Sequence, residues 1–223
     1  MTINITNFRY KMIEQQIRPW SISDIQVLET LNIIRRELFA LESQLPLVFS
    51  DIFLPIQNTQ EVMMEPKIEA RVLQAIKPRG QDQVLEIGTG SGYMAALLAY
   101  FAKSVTSVEI QPELADFAID NLHKCRVPNV RVEIGDASNG WKVAENNTYD
   151  IICISGGLKE IPTTIRNQLN IGGKLLAFVG QAPVMSAVLV TRHSHDYFQT
   201  ESLFETLVPM LKTESTNIEE FEF

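Results

Sequence analysis

The stretch Val84–Tyr93 (VLEIGTGSGY) combines a short apolar run, one carboxylate and three alternating glycines. Glycines in this pattern allow positive φ angles in a turn and let a ligand approach the backbone closely. Dinucleotide-binding loops share the pattern, but their third glycine would stand where Tyr93 stands. Glu86 would also lie unfavourably close to a pyrophosphate. The loop therefore favours a ligand that carries positive charge and no phosphate.

Two further carboxylates stand at the ends of apolar runs of strand length. Glu109 ends the second run, 21 residues after Gly88, and Asp136 follows the third run. At adjacent strand ends, Glu109 could accept hydrogen bonds from both hydroxyls of a ribose, as acidic residues do in nucleotide-binding folds. Asp136 could accept a hydrogen bond from the amino group of an adenine. Each carboxylate alone could equally be a solvated strand end, but together with the glycine loop they predict an S-adenosyl-L-methionine site, with S-adenosylhomocysteine as the product.

The elements that would position these residues begin near Gln83, where apolar runs of strand length start to alternate with helical stretches. This alternation predicts a doubly wound α/β fold with a mostly parallel, Rossmann-like sheet covered by helices on both faces. Two strand-like runs near the end, Ala187–Thr191 and Thr200–Val208, predict antiparallel strands joined by a turn at His193–Tyr197. Residues 1–82 are expected to form a helical and loop extension over the cleft, and residues 83–223 the cofactor-binding domain with an acidic tail.

Within the extension, Pro66 is placed as the first residue of a helix that runs to Ile76. Ser23, followed by Gln26, resembles a capping box that opens a helix through Leu31, or as far as Phe39.

Composition narrows the class of protein. The chain has 223 residues, a formal net charge of −8 and a sequence pI of about 5.0. A duplex-binding protein normally has a basic face, so nucleic acid is not expected as a partner. No apolar stretch approaches the roughly 20 residues that a membrane span requires. Cys125 and Cys153 do not form a disulfide framework or a metal-ligand spacing. We expect a soluble, cytoplasmic protein without a metal.

Short blocks spread along the chain carry a more specific resemblance. They are Met12–Arg18 (MIEQQIR), Arg35–Phe39 (RRELF), Asp51 with Leu54–Ile56, Val84–Tyr93, Ser107–Glu109, Gly135–Asp136, Gly140–Trp141, Tyr149–Ile151, Ile161–Pro162, Gln168–Leu169, Gly172–Gly173 and Val208–Pro209. In these blocks the sequence resembles the protein-L-isoaspartate O-methyltransferase family. The glycine loop alone is shared by many methyltransferases, whereas its combination with Gly140–Trp141 and the N-terminal blocks is much more specific. The resemblance implies methyl esterification of the carboxyl group of damaged aspartyl residues in a protein or peptide.

One position departs from that family. Its members have a loop ending in Thr-Ile-Ser-Gln-Pro, or close to it, whose hydroxyl residue lies at the reaction centre. Aligned on Pro66, this chain reads VMMEP, so Met64 occupies the serine position. Methionine cannot donate a hydrogen bond to a substrate carboxylate, and Glu65 beside it would repel one unless it turns away. The sequence therefore leaves the catalytic residue unassigned.

The sequence is consistent with three hypotheses of function: an isoaspartyl methyltransferase, a methyltransferase with a small-molecule or another protein acceptor, and a cofactor-binding module without catalysis. The predicted cofactor-binding residues are Met63, Met64, Glu86, Ile87, Gly88, Thr89, Gly90, Ser91, Gly92, Glu109, Ile110, Asp136 and Ala137.

Some weaker candidates have simpler explanations. Ser155 could contact a substrate or cap a helix, and Lys67 could hold an anion or lie on the surface. His193 and His195 could bind a metal, but a solvated turn is favoured.

Overall fold

The computed structural model describes residues 4–141 and 148–214. Its helices are α1 (Ile5–Lys11), α2 (Ile25–Ile33), α3 (Pro66–Ile76), α4 (Tyr93–Phe101), α5 (Pro112–Lys124) and α6 (Thr163–Asn167). Its strands are β1 (Leu54–Pro55), β2 (Val62–Met63), β3 (Gln83–Ile87), β4 (Ser104–Glu109), β5 (Val130–Ile134), β6 (Tyr149–Leu158), β7 (Leu169–Gln181), β8 (Val184–Arg192) and β9 (Phe198–Glu205). The predicted acidic tail, Thr213–Phe223, lies outside the described residues except for Thr213 and Glu214.

Seven strands form the main sheet in the order β5-β4-β3-β6-β7-β8-β9. Strands β3 to β7 are parallel, while β8 and β9 are antiparallel additions at one edge. The fold prediction is confirmed. The chain passes from β3 outward to β5 and then returns to the other side of β3 with β6. Neighbouring connections therefore diverge between β3 and β6, which is where such sheets bind ligands at the carboxyl ends of their strands.

The last strands are longer than their apolar runs. β6 continues beyond its apolar residues through Gly156 and Gly157, and β7 begins at Leu169, before Gly172 and Gly173. These glycine pairs continue the strands, with a register shift between Cys153 and Gly157 where β6 pairs with β7. The turn at His193–Tyr197 is confirmed by the backbone hydrogen bond from His193 N to Tyr197 O, 2.9 Å.

The N-terminal helices differ from the predictions in their bounds. Asp24, not Ser23, caps α2, because its Oδ1 accepts hydrogen bonds from the N–H groups of Gln26 (2.9 Å) and Val27 (3.3 Å). The helix ends at Ile33 rather than continuing towards Phe39, since Ile34 has an extended backbone. In contrast, α3 begins at Pro66 and ends at Ile76, as predicted.

Apolar residues of the N-terminal helices and of the sheet share one core. Leu31 of α2, Leu73 of α3 and Leu97 of α4 are buried in the same cluster as Leu176 of β7. This packing fixes the segment between α2 and α3 over the carboxyl ends of the strands. Over residues 4–141 and 148–214, no helix combines the length and the apolarity needed to cross a membrane.

Candidate cofactor and acceptor cleft

A cleft of about 890 Å³, part of it open to solvent, lies at the carboxyl ends of β3, β4, β5 and β6. Eleven of the thirteen predicted residues line it: Met63, Met64, Ile87, Gly88, Thr89, Gly90, Ser91, Glu109, Ile110, Asp136 and Ala137. Glu86 and Gly92 do not. The topology therefore brings together residues from three strand ends and from the segment before Pro66.

The glycine loop turns sharply between β3 and α4. Gly90 has a φ of +52°, and a Cβ placed on it would lie 3.0 Å from the Ile56 side chain. Gly92 is the N-cap of α4 with a φ of +85°, and its missing side chain lets the loop approach Ala118 of α5. Gly90 thus provides close access to the cleft, whereas Gly92 serves helix packing.

Glu109 closes β4 at the wall of the cleft, with only 5% of its surface exposed. Its Oε2 accepts a hydrogen bond from Gly90 N (2.9 Å), and its Oε1 accepts one from Gln111 N (3.0 Å). Burial raises the pKa of Glu109, the two backbone donors oppose that shift, and the negative charge of Glu61 adds to it. A carboxylate with two fixed donors still has free lone pairs that can accept from a diol.

Asp136 follows β5 on the next stretch of wall. Its Oδ1 accepts a hydrogen bond from Ser138 N (2.7 Å), and its Oδ2 accepts one from Glu214 N (2.8 Å). Although burial opposes it, these hydrogen bonds hold the pKa of Asp136 below its ordinary value. Asp136 therefore keeps its charge at the cleft over a wider pH range than Glu109 does.

Glu86 requires a correction. The charge of Glu86 was predicted to lie at the cleft, but the Glu86 side chain is fully buried behind the loop. Its oxygens accept hydrogen bonds from Ser107 Oγ (2.6 Å) and Ser155 Oγ (3.2 Å). Burial raises the pKa of Glu86 to about 8, which the two hydroxyl donors only partly offset. Burial thus favours the neutral acid, and Glu86 holds neighbouring hydroxyls behind the loop instead of lining the cleft.

Ser155 lies within β6 and lines the cleft. No helix starts after it, so the helix-cap interpretation was wrong. Its hydroxyl connects the cleft to the buried Glu86, and Thr89 Oγ1 is joined to the same network through Ser107 Oγ at 2.6 Å. The alternation of the strand pattern could have indicated Ser155 as a wall residue, because every second side chain of a strand shares one face.

Met64, at the position of the family hydroxyl, is 93% buried in the cleft wall, since only 7% of its surface is exposed. Its carbonyl oxygen accepts a hydrogen bond from Arg36 Nη2 at 2.7 Å. The buried Arg36 also pairs with Glu69 of α3 and donates from Nε to Val48 O at 3.1 Å. Sequence reasoning missed Arg36 and Glu69, because a buried ion pair between residues 33 positions apart leaves no local pattern.

Glu65 turns away from the cleft and towards Lys67, whose Nζ lies 3.6 Å from Glu65 Oε1 and 2.7 Å from Asp51 Oδ2. Lys67 also lies over the ring of Trp20, 4.6 Å from its centroid. Its side chain is only 15% exposed, so the interpretation as a surface lysine was wrong. Lys67 is committed to this cluster and does not line the cleft.

The segment after β9 is the largest part of the wall that the sequence did not indicate. Val208, Pro209, Met210, Leu211 and Lys212 line the cleft. Two backbone hydrogen bonds attach this segment to Gly157: Gly157 N donates to Pro209 O, and Leu211 N donates to Gly157 O, both at 2.8 Å. The sequence indicated only Val208–Pro209 of this segment, and it did so only through the family resemblance.

The histidines lie away from the cleft. His195 Nδ1 is 2.7 Å from Asp196 Oδ1 in the exposed turn between β8 and β9. In the parts of the chain that the structure describes, His, Cys, Asp and Glu form no group of three or more that could hold a metal ion.

The polar and apolar groups that line the cleft fit S-adenosyl-L-methionine. Glu109 offers acceptor lone pairs for a diol and Asp136 a charged acceptor for an amino group, while the backbone of the glycine loop lies open to the methionine end. Apolar side chains of Ile87, Ile110 and Leu114 supply surfaces for the faces of a planar base.

Comparison with known proteins agrees with this description. A family model described as protein-L-isoaspartate(D-aspartate) O-methyltransferase matches residues 7–215. A protein-L-isoaspartate O-methyltransferase of Syntrophus aciditrophicus is 38% identical over 188 residues, 84% of this chain and 85% of the relative. One from Methanoculleus marisnigri is 40% identical over 172 residues, 77% of each chain.

Solved structures are similar over nearly the whole chain. One protein-L-isoaspartate O-methyltransferase has a TM-score of 0.80 and 25% identity, covering 96% of this chain and 71% of its own. A Plasmodium falciparum protein in complex with S-adenosyl-L-homocysteine has a TM-score of 0.75 and 18% identity, covering 94% of this chain and 99% of its own. The latter likeness concerns the fold alone.

Proposed function

The chain belongs to the protein-L-isoaspartate(D-aspartate) O-methyltransferase family, an S-adenosyl-L-methionine-dependent family of enzymes, and we propose that it methylates the free carboxylate of isoaspartyl residues in proteins or peptides. When bound, the cofactor supplies a methyl group on a sulfonium; transfer to a carboxylate oxygen breaks the carbon–sulfur bond and leaves S-adenosylhomocysteine and a neutral methyl ester.

The chain's own residues have two tasks in this proposal. Glu109 and Asp136 hold the adenosine, and the backbone of Gly88–Gly90 holds the methionine end. Met63 and Met64 close the wall towards the acceptor. A carboxylate acceptor is ionised at neutral pH, since its ordinary pKa is near 4, so no general base is needed. Holding the reacting atoms in line, which can supply roughly 7–11 kcal/mol, is then the main contribution of the protein.

One observation carries the proposal. Glu109 is almost fully buried at a strand end, yet it lines the cleft, and the protein groups that hydrogen bond to it are backbone N–H groups of the adjoining loop, without a cationic partner among the ion pairs of the described residues. A buried carboxylate with unused lone pairs needs further donors, because burying a charge without partners is costly. A ribose diol would supply them.

A transfer assay tests the proposal. The protein is incubated with cofactor labelled in the methyl group and with a peptide that contains one isoaspartyl residue. The matched control is the same peptide with a normal aspartyl residue. We expect label on the isoaspartyl peptide alone, as a base-labile ester. An unlabelled peptide together with measurable cofactor binding would contradict the proposed acceptor.

Met64 favours a second candidate, a methyltransferase with a different acceptor. A buried thioether stands where the family has a hydroxyl, and one missing hydrogen bond to the acceptor weakens its binding or turnover by about 1–3 kcal/mol. Incubation with a lysate that lacks the protein would reveal such an acceptor by labelling. Binding without transfer to any target would instead indicate a non-catalytic module. The cytoplasmic location stays a prediction.

A further inference from the structure

The charge of the cleft wall is unfavourable for an anionic acceptor. Four carboxyl side chains line it: Glu61, Glu69, Glu109 and Asp136. Among the described residues that line the cleft, Lys212 is the one with a cationic side chain. Glu69 is paired with Arg36 behind the wall and Glu61 with Lys212, whereas Glu109 and Asp136 have no ion pair with any described residue. A carboxylate acceptor that enters the cleft must overcome their repulsion.

The backbone of Lys212 is held in place, whereas its ammonium group can change its partner. Leu211 beside it is hydrogen bonded to Gly157 and packs close to Gly88, where an added Cβ would lie 3.2 Å from Leu211 Cδ1. The Lys212 Nζ lies 2.8 Å from Glu61 Oε1, with 38% of the lysine side chain and 23% of the glutamate side chain exposed. Such half-exposed pairs contribute little to stability because solvent screens them. Another carboxylate can therefore replace Glu61 at little cost.

The partner of Lys212 lies in the segment that leads to the acceptor side. Glu61 is three residues before Met64, on the strand-like stretch that contains β2, which corresponds to about 10 Å of extended chain. Met64 cannot donate a hydrogen bond, so a donor for the acceptor must come from elsewhere on the wall. The side chains of Thr89 and Ser155 are already engaged with the buried Glu86 network. Among the described lining residues, Lys212 is the donor that also carries a positive charge, which suits an anionic acceptor best.

We propose that Lys212 binds the acceptor carboxylate and that Glu61 occupies this position in the free protein. The ammonium holds one carboxylate oxygen and leaves the other free to attack the methyl group. Acceptor entry exchanges one carboxylate for another on Lys212, which supplies a contact to the acceptor that Met64 cannot supply. This inference rests on the proposed function.

The test measures peptide binding separately from turnover. A fluorescent isoaspartyl peptide is titrated by anisotropy in the presence of saturating S-adenosylhomocysteine, and KM and kcat are measured in the transfer assay. Lys212→Gln is compared with Lys103→Gln, which removes the same charge from the exposed turn before β4, at the opposite end of the strands. Lys212→Gln should weaken peptide binding about tenfold and raise KM equally, whereas Lys103→Gln should change either by less than twofold.

Two further variants separate a specific contact from general electrostatics. Lys212→Arg should restore most of the affinity, because it keeps the charge. Glu61→Gln should tighten peptide binding about threefold in the wild-type background and much less in the Lys212→Gln background, as expected for partners in one exchange. Because the charge of Glu61 acts on Glu109, S-adenosylhomocysteine is kept saturating for every variant, so that a change of cofactor affinity does not enter the peptide titration.

Equal peptide affinities for Lys212→Gln and Lys103→Gln would overturn the inference while leaving the proposed function intact, provided that the wild type labels the isoaspartyl peptide. An increase in peptide affinity on Glu61→Gln that is equal in the wild-type and Lys212→Gln backgrounds would also overturn the inference. If the wild type labels no isoaspartyl peptide, both the inference and the proposed function are wrong.

Discussion

Replacing Glu109 by glutamine keeps the shape of the side chain and removes its charge. The carboxylate has about four lone-pair positions. The N–H groups of Gly90 and Gln111 donate to one oxygen each, and Ile110 also contributes a weaker backbone contact, so each oxygen keeps acceptor capacity for a ribose hydroxyl of the cofactor. A glutamine keeps one carbonyl oxygen and turns an NH₂ group towards a backbone donor or towards the ribose. At least one charge-assisted hydrogen bond to the ribose is lost.

The loss of such a bond weakens cofactor binding by about 1–3 kcal/mol, or roughly 5- to 150-fold in Kd. Isothermal titration with S-adenosylhomocysteine measures the change, and it is carried out at mildly alkaline pH because burial raises the pKa of Glu109. Glu113→Gln, at the exposed first turn of α5, removes an equal charge and should leave Kd within twofold. A Kd for Glu109→Gln that matches the control would refute the assignment of Glu109 to the ribose.

Other changes test the remaining parts of the account. Met64→Ser should raise isoaspartyl turnover by about one to two orders of magnitude through a regained hydrogen bond; unchanged initial rates with intact cofactor binding would place the acceptor elsewhere. Glu86→Gln should alter the pH dependence of the free energy of unfolding. The folded wild type retains a proton on Glu86 that the unfolded chain releases, so its stability falls as the pH rises from about 4.5 to about 8. Urea unfolding should therefore show that the free energy of unfolding of the variant rises relative to that of the wild type as the pH increases across that window. A difference in free energy that does not change with pH would argue against a neutral Glu86. Arg36→Met should lower the free energy of unfolding by about 3–5 kcal/mol by leaving Glu69 buried without its partner, and Arg36→Met with Glu69→Leu should recover most of it. Equal urea midpoints for the single variant and the wild type would contradict this.

The parallel sheet could be predicted because strand-length segments rich in Val, Ile and Leu alternate with helical stretches, and central strands such as β3 and β6 are buried on both faces. The helices that begin at Pro66 and Pro112 could be placed because proline is favoured in the first turn of a helix. The site followed from topology, since the carboxyl ends of adjacent parallel strands must meet. Glu109 and Asp136 therefore lie on one cleft although 27 residues separate them.

What the sequence could not provide depends on burial and on long-range contacts. Glu86 was read as a charge at the cleft, but the direction in which a strand residue faces decides whether it meets ligand or core. The pairing of Arg36 with Glu69 arises only once α3 packs against the N-terminal segment. Likewise, Lys212 reaches the cleft because the chain after β9 returns along Gly157, and no local pattern encodes that path.

A crystal structure of the protein with S-adenosylhomocysteine would test the central claim most directly. We predict that both ribose hydroxyls lie within hydrogen-bond distance of Glu109, that the adenine amino group donates to Asp136, and that the methionine end lies against Gly88–Gly90. An adenosine bound away from these carboxylates, or a cleft that excludes the ligand, would contradict the account.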